Sequence, residues 1–249
     1  MPEALASALA APGLGWIAAA TFLAGAVYGF AGFGAALVFM PVALIWLSPA
    51  QAVGAIAVCA SSSALTVLPG ALRGCRPGAV GPMLAAAVVT MPFGVLVLRR
   101  ADPEALRLAV ALIVLGTLAA LVAGWRLRTP PTALTRAAVG AGAGGMGAAT
   151  GLNGPVVILF NLAGSDPADV VRANTIVFLT LTSLYLIPLL ILQGALGPQG
   201  AWIGALLFPV YGLGSLAGRA AFRPGQEHLY RRIAYVLIAF AGIAGLPVW

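Results

Sequence analysis

Charged residues are scarce in this chain. Only 8% of its 249 residues are Asp, Glu, Lys or Arg, whereas 61% are hydrophobic and the mean hydropathy is +1.05. A soluble domain carries about 25% charged residues, and no soluble core of this size could cover so much apolar surface. The composition excludes a soluble protein and predicts a polytopic membrane protein. No segment is polar enough, over a sufficient length, to form a second soluble domain.

Lysine is absent. All thirteen basic residues are arginine, and the net charge is +7. A basic chain suggests nucleic acid as a partner, but these arginines lie in short segments between apolar runs, so membrane orientation explains them better. We expect a lipid bilayer as the partner and no nucleic acid. The N-terminal stretch MPEALASALAAPG has no basic region, so we expect no cleaved signal peptide.

Cysteine is limited to Cys59 and Cys75. Cys59 lies inside an apolar run and Cys75 follows in a loop, so a helix would separate them by about 24 Å. That distance is too large for a disulfide, and two free thiols are expected. A transmembrane thiol-redox or assembly protein that uses this pair stays open as an alternative function.

Asp, Glu, His, Lys and Arg are missing from the middle of every apolar run. Five of the six acidic residues and the single histidine lie near the ends of the runs: Asp102, Glu104, Asp166, Asp169, Glu227 and His228. Proton-coupled carriers usually hold an intramembrane carboxylate or histidine, so we expect no proton relay through the protein. The chain also lacks a metal-ligand cluster, a phosphate-binding loop and a nucleophile–base pair. It is therefore predicted not to be an enzyme and to use no cofactor or metal.

Proline, glycine and arginine divide the apolar sequence into segments, and a transmembrane helix needs about 20 residues. The predicted segments are Leu14–Leu47, Gln51–Leu72, Pro77–Leu98, Pro103–Trp125, Ala133–Ala163, Ala168–Leu192, Gln199–Ala221 and Glu227–Val248. Two of them are long and interrupted, near Gly32–Gly34 and near Gly151–Pro155. The others are predicted to be unbroken helices.

The second group of segments repeats the first. GFGAALVFMP (Gly32–Pro41) matches GLNGPVVILF (Gly151–Phe160) at an offset near 119, and SPAQAV matches DPADVV at 118. LRRADPEALR loosely matches GRAAFRPGQEHLYRR at an offset near 120. These matches predict an internal duplication, with repeat 1 at about 14–125 and repeat 2 at about 133–248 of one transporter domain (1–249). Membrane transporters are often built from such repeats.

The arginines indicate how the repeats are oriented. If each interrupted segment enters and leaves the membrane on one side, only Arg99, Arg100 and Arg107 oppose the other ten arginines. Those ten are Arg73, Arg76, Arg126, Arg128, Arg136, Arg172, Arg219, Arg223, Arg231 and Arg232. A single crossing by every segment would give only eight to five, which fits the positive-inside rule less well. The predicted fold is therefore all-α, with two inverted repeats, each a hairpin or interrupted helix followed by three transmembrane helices.

The interrupted segments raise the central question of the sequence. Broken helices at membrane depth survive only where protein or a cavity shields them. There, a half-helix N-terminus exposes free N–H groups and about half a positive charge, which together favour an anion. Asn153 is a candidate helix cap or amide donor, and Pro155 suits a first helical turn. Tight helix packing would explain one glycine motif, but paired breaks in two repeats indicate a transport site.

Polar side chains in the neighbouring segments extend this candidate site. Ser61–Ser63 lie in the middle of one segment and Asn174–Thr175 begin its counterpart, although Ser and Thr often bond only to their own helix. The predicted substrate-binding residues are Gly32, Phe33, Gly34, Ser61, Ser62, Ser63, Thr150, Gly151, Asn153, Gly154, Asn174 and Thr175.

These motifs resemble those of the TauE/SafE sulfite exporter family. The resemblance rests on GFGAALVFMP with PAQAVGAIAVCASSSA, and on GAGGMGAATGLNGPVVILFNLAG with DPADVVRANTIVFLTLTS. It covers essentially the whole chain. Many family members carry extra glycines where this chain has Ala35 and Ala36, and glycine would also fit at Asn153.

The resemblance implies transport of sulfite, sulfonates or related small sulfur-containing anions across the bacterial inner membrane, often outward. A cation transporter using carbonyl or carboxylate ligands is a further alternative. The exact substrate, the direction, the coupling ion and the oligomeric state stay open, a homodimer being one option.

Overall fold

The computed structural model describes residues 2–125, 131–161, 166–221 and 235–242, and all regular secondary structure in these ranges is helical. The first half contains α1 (Pro2–Leu9), α2 (Leu14–Ala31), α3 (Ala35–Ala43), α4 (Pro49–Ala60), α5 (Ser63–Thr66), α6 (Leu68–Gly74), α7 (Pro77–Arg100) and α8 (Pro103–Val122). The second contains α9 (Ala133–Thr150), α10 (Gly154–Asn161), α11 (Ala168–Leu192), α12 (Pro198–Ala221) and a helical stretch at 235–242.

Five described helices are long and apolar enough to cross a membrane: α2, α7, α8, α11 and α12. The bent run α4–α6 makes a sixth if it is counted as one span, with an angle of 63° at its break. The prediction of an all-helical polytopic membrane protein is therefore confirmed. The predicted bounds of Ala168–Leu192 are reproduced by α11, and both predicted interruptions lie between helices.

The segment predicted as one helix over Gln51–Leu72 is broken, and that prediction is wrong. Helix α4 ends at Ala60, α5 follows after Ser61 and Ser62, and the run bends by 63° between Thr66 and Leu68. The hydroxyls of Ser61, Ser62 and Ser63 donate to the carbonyls three residues before them, at 2.6, 2.8 and 2.6 Å. Serine hydroxyls compete in this way with the backbone bonds that would continue the helix.

Part of the sequence prediction lies outside the described residues. Only 235–242 of the predicted segment Glu227–Val248 is described. Six further residues also lie outside the described ranges, so their membrane face stays a prediction: Arg126, Arg128, Arg223, Arg231, Arg232 and His228.

Two helix pairs pack through glycine. A Cβ added at Gly29 of α2 would overlap the carbonyl oxygen of Ser215 in α12, and one added at Gly218 would overlap that of Ala26. The pair α7 and α9 does the same, since a Cβ at Gly140 would overlap the carbonyl oxygen of Met83. Small residues let helix backbones approach closely inside a membrane, where the hydrophobic effect does not drive helices together. The first helix of each predicted repeat thus packs on a helix of the other repeat.

Contacts at helix ends place α7, α9 and α11 together at one end of the bundle. Arg136 in the first turn of α9 donates to the carbonyl of Gly78 in α7 at 3.0 Å. Arg76, just before α7, forms an ion pair with Asp166, just before α11, and its backbone N–H donates to Oδ1 of Asn174 at 2.8 Å. The broken pair α9–α10 therefore begins at the same end of the bundle as α7 and α11.

The start of α2 and the end of α3 adjoin in a similar manner. A Cβ added at Gly13, just before α2, would overlap the ring of Trp46, which follows α3. The carbonyl of Leu47 accepts a hydrogen bond of 3.5 Å from Arg107, in the second turn of α8. The broken pair α2–α3 therefore begins and ends beside the start of α8.

Candidate functional site

The first break lies between α2 and α3 and is built by glycine. Gly32 ends α2 with φ at 81°, and Gly34 precedes α3 with φ at 90°. Backbone of this left-handed kind is costly for residues with a Cβ. The N–H of Gly32 still donates to the carbonyl of Tyr28 at 2.8 Å, which closes the last turn of α2.

The second break, between α9 and α10, has the same construction. Gly151 ends α9 with φ at 76°, and Pro155 lies in the first turn of α10, where a missing N–H costs nothing. A Cβ at Gly151 would lie 2.9 Å from Sδ of Met40 in α3. The second break therefore packs directly against the half-helix that follows the first.

A central cavity of about 50 Å³ borders both breaks. Its lining includes Gly34, Ala35 and Ala36 from the first break, and Gly151, Asn153, Gly154 and Pro155 from the second. Helices α4, α11 and α12 complete the wall with apolar side chains such as Ile56, Leu179 and Leu186. The start of α3 and the start of α10 thus both border one cavity.

A cluster of hydroxyl groups adjoins this cavity. Tyr28 and Ser63 both line it, and each hydroxyl lies close to that of Thr180, at 2.9 and 3.0 Å. The same two groups also reach carbonyls, Tyr28 that of Ile176 at 3.2 Å and Ser63 that of Ala60 at 2.6 Å. The ring of Tyr28 lies 6.1 Å from that of Tyr211, which also borders the cavity. The cluster joins α2 and α5 of the first repeat to α11 of the second.

Asn153 also lines this cavity. Its Nδ2 donates to the hydroxyl of Thr182 in α11 at 3.0 Å, and that hydroxyl in turn donates within α11. The offset of 119 relates Asn153 to Gly34, which also lines the cavity. The two repeats therefore supply related positions to the cavity, but with different side chains.

The predicted site residues divide into two groups in the structure. Those that line the cavity are Gly34, Ser63, Gly151, Asn153 and Gly154. Those outside its lining are Gly32, Phe33, Ser61, Ser62, Thr150, Asn174 and Thr175. Several of the second group have structural contacts: Thr150 bonds to Met146 and Leu152, Asn174 to Arg76, and Thr175 to Asn161.

Tyr28 and Arg172 are absent from the residues selected by sequence. Tyr28 lies within an apolar run, where the sequence does not distinguish a functional tyrosine from another large side chain of the core. Arg172 is in the second turn of α11, and its Nε donates to the carbonyl of Phe30 at 2.9 Å while Nη2 donates to that of Gly29. Its placement beside the first break follows from tertiary packing between repeats, which no local pattern reveals.

The two thiols are free and lie apart in the structure. Cys59 is buried in α4 and its Sγ points to the carbonyl of Ile56, whereas Cys75 is partly exposed and points to that of Leu72. Within the described ranges, no group of three or more His, Cys, Asp or Glu side chains is placed to hold a metal ion.

A comparison with protein families identifies the chain. The family model described as "Sulfite exporter TauE/SafE" matches residues 17–245. The chain belongs to the TauE/SafE sulfite exporter family. This match covers nearly all of the sequence, and it includes both helix breaks and the cavity that they border.

No curated protein and no solved structure matches the chain in the corresponding searches. Membership of this family makes the chain a multi-pass membrane transporter of sulfite or a related small sulfur-containing anion, and not an enzyme. The family match favours transport over the thiol-redox and cation-transport alternatives.

Proposed function

We propose that this protein carries a small sulfur oxyanion such as sulfite, bound in the cavity between the two helix breaks. The observation that carries the proposal is that α3 and α10 both begin at this one cavity. A transport site inside a membrane needs polar groups that are not already used by the fold, and helix starts supply them.

Backbone N–H groups are the first donors that we assign. The earliest backbone bond inside α3 runs from Val38 to the carbonyl of Gly34, so Ala35, Ala36 and Leu37 precede the regular helical pattern. All three residues line the cavity. The N-terminal end of a helix also carries about half a positive charge. An oxyanion at this position receives hydrogen bonds and a favourable potential without any buried cation.

Hydroxyl and amide groups are the second set of donors. Tyr28, Ser63 and Asn153 line the cavity and already have protein partners. An anion that enters must redirect one or more of these groups, which offsets part of the binding free energy. This arrangement suits a carrier, because the substrate must be released as well as bound.

The size of the cavity favours a compact substrate. One water needs about 10–15 Å³ of such space, so a cavity of about 50 Å³ has room for a few waters or a four-atom oxyanion. Sulfite has four heavy atoms, whereas an organosulfonate such as taurine has nearly twice as many. We therefore rank sulfite above the organosulfonates, which would require the cavity to widen.

The charge of the cavity wall bears on coupling. Among the residues that the structure describes, its lining holds no carboxylate, histidine, lysine or arginine. Without such a group a proton relay is not expected, so the substrate moves by facilitated diffusion or carries its own proton. Bisulfite is a weak acid near neutrality and brings one charge rather than two into an apolar space, where each charge is costly. A singly charged oxyanion is therefore the preferred species.

Inverted repeats give this site its route to both membrane faces. The contacts at helix ends support inverted repeats, because the pair α9–α10 begins beside the start of α7 and the pair α2–α3 begins beside the start of α8. With 24 residues, α7 is long enough to cross the bilayer between those two places. Rocking of one repeat against the other would expose the cavity to each face in turn. Outward transport across a bacterial inner membrane is the direction and location that we assign.

A panel of anions tests the proposal on the purified full-length protein. Sulfite, sulfate, thiosulfate, sulfoacetate and taurine are each added in a thermal-shift measurement, followed by flux assays in proteoliposomes. A ligand at one hundred times its Kd stabilises the folded state by about 2.7 kcal/mol. We expect the largest shift and a measurable flux with sulfite near neutral pH. Absence of any shift, together with flux equal to that of protein-free liposomes, would exclude this assignment.

A further inference from the structure

Arg172 places a guanidinium group on the end of α2, beside the first helix break. Nε donates to the carbonyl of Phe30 at 2.9 Å and Nη2 donates to that of Gly29. The side chain is partly buried, and its Cγ lies 2.9 Å from the position of a Cβ added at Gly32. It does not line the cavity, so any effect on a bound anion acts through space or through the break itself.

A break in a helix brings two opposite charges together. The last carbonyls of α2 carry about half a negative charge and the first N–H groups of α3 about half a positive charge. Only Gly32, Phe33 and Gly34 separate the two ends. An anion at the start of α3 therefore meets repulsion from α2 that cancels part of the attraction from α3.

We propose that Arg172 neutralises the negative end of α2 and thereby makes the first break attractive to an anion. Its two hydrogen bonds fall on two of the four terminal carbonyls of α2, and a third, that of Tyr28, is taken by the N–H of Gly32. The positive end of α3 then acts on the cavity with less opposition. This inference rests on the proposed function, and it makes Arg172 a positioning residue for the anion site.

The second break lacks this device. The carbonyl of Gly147 accepts from Gly151 at 2.8 Å, and in the described part of the chain no arginine contacts the carbonyls of Ala148 to Thr150. The repeat offset of 118 relates Arg172 to Gly54, which has no side chain to take the same role. The cavity is therefore more positive on the α3 side, and an anion is held more strongly there than at α10.

Two substitutions separate charge from hydrogen bonding at this position. Arg172→Gln keeps an N–H donor for the carbonyls of α2 and removes the charge, whereas Arg172→Lys keeps both. Binding of sulfite to the full-length protein is measured by calorimetry at low salt. We expect Arg172→Gln to lose about tenfold in affinity and Arg172→Lys to lose less than about threefold, since removing a charge near the site weakens its field.

A structural role would give a different pattern. If both variants lose affinity equally, or if Arg172→Gln binds as well as the native protein, the proposal is wrong. Arg136→Gln is the matched control, because Arg136 also donates to a backbone carbonyl, that of Gly78, but lies at the start of α9. Its affinity for sulfite is expected to stay within about twofold of the native value, as expected for a screened, exposed charge.

A titratable variant keeps the test open if Arg172→Gln does not fold. In Arg172→His the charge is present below about pH 6.5 and absent above it. The ratio of native to variant affinity at each pH cancels the protonation of sulfite itself. We expect a ratio near one at pH 5.5 that rises to about tenfold at pH 8, the imidazole having lost its charge. A ratio that does not change with pH overturns the role of charge, whereas a native protein that binds no sulfite overturns the proposed function instead.

Discussion

Tyr28 shows how single side chains combine support of the fold with the proposed site. Its hydroxyl lies within hydrogen-bond distance of Thr180 and of the carbonyl of Ile176, and its ring borders the cavity. Sequence reasoning selected Ser63 and Asn153, which also border the cavity, because glycine breaks and serine runs are visible in a linear sequence. It did not select Tyr28 or Arg172, because their positions depend on how α11 packs against the end of α2.

Removing the hydroxyl of Tyr28 tests its part in anion binding. Thr180 keeps its contact with Ser63 in Tyr28→Phe, so we expect a loss of stability of only about 1 kcal/mol, the net value of one hydrogen bond. Sulfite affinity should fall by about three- to tenfold, because one donor is lost from an apolar cavity. Calorimetry measures the affinity and thermal unfolding the stability. Tyr185→Phe, on the same bundle but outside the cavity lining, is the control. An unchanged affinity in Tyr28→Phe would remove this hydroxyl from the site.

A change at Asn153 tests the sign of the substrate charge. Asn153→Asp replaces the amide that donates to Thr182 with a carboxylate that only accepts, and it places a negative charge beside the ligand, whereas Asn153→Ala only removes the amide. For an anion we expect a loss of about three- to tenfold in Asn153→Ala. The loss in Asn153→Asp should be larger, because repulsion in an apolar cavity adds to the missing donor. Calorimetry with both variants across pH gives the comparison. If Asn153→Asp binds sulfite as tightly as the native protein, Asn153 does not contact an anion.

Helices were easier to predict than their interruptions. Glycine and proline predict the breaks at Gly32–Gly34 and Gly151–Pro155, and the structure has helix ends at both places. The regular pattern of α4 ends at Ser61 and Ser62 without such a signal, where serines bond backward to their own helix, whereas the 63° bend lies further on, between Thr66 and Leu68, next to Pro69. Serine is common in membrane helices without breaking them, so local sequence does not decide between the two outcomes. The counterpart α11 continues without a break for 25 residues.

Glycine packing between α7 and α9 gives a prediction at the same scale. A Cβ at Gly140 would overlap the backbone of Met83, whereas one at Gly142, on the same helix, would meet nothing within 4 Å. Gly140→Ala should therefore destabilise the protein by about 1–3 kcal/mol or more, the usual cost of overpacking. Gly142→Ala should leave its stability unchanged or raise it by up to about 1 kcal/mol, because alanine favours helix. Thermal unfolding in detergent compares the two variants. Equal melting temperatures would show that α7 and α9 do not pack as closely as described.

At the scale of the whole molecule, the first helix of each predicted repeat packs on a helix of the other predicted repeat. The first helix of repeat 1, α2, packs on α12, and the first helix of repeat 2, α9, packs on α7. We predict that a pseudo-two-fold axis in the membrane plane relates these two pairs and passes on or near the cavity, so that the two breaks approach the cavity from opposite faces. The predicted symmetry is incomplete, since α4–α6 is bent where α11 continues as one helix, and among the described residues Arg172 has no counterpart at the second break.

The inverted arrangement makes a prediction about which residues share a membrane face. Pro12 and Pro131 are exposed, precede the two broken pairs and are 119 positions apart, the offset of the repeats. We expect a cysteine introduced at Pro131 to be labelled from the cytoplasmic side, together with the native Cys75. A cysteine introduced at Pro12 should be labelled from the outer side, because the arginine-rich face is cytoplasmic. Each introduced cysteine is placed singly in a background with Cys59→Ser and Cys75→Ser, and native Cys75 is tested in Cys59→Ser alone. A membrane-impermeant maleimide is applied to right-side-out and inside-out vesicles. Glu104→Cys, at the start of α8, is the control for the outer face, since Arg107 contacts the end of the α2–α3 pair. Labelling of Pro12→Cys and Pro131→Cys from the same face would mean that the repeats are parallel, and transport by exchange of inverted halves would then have no structural basis.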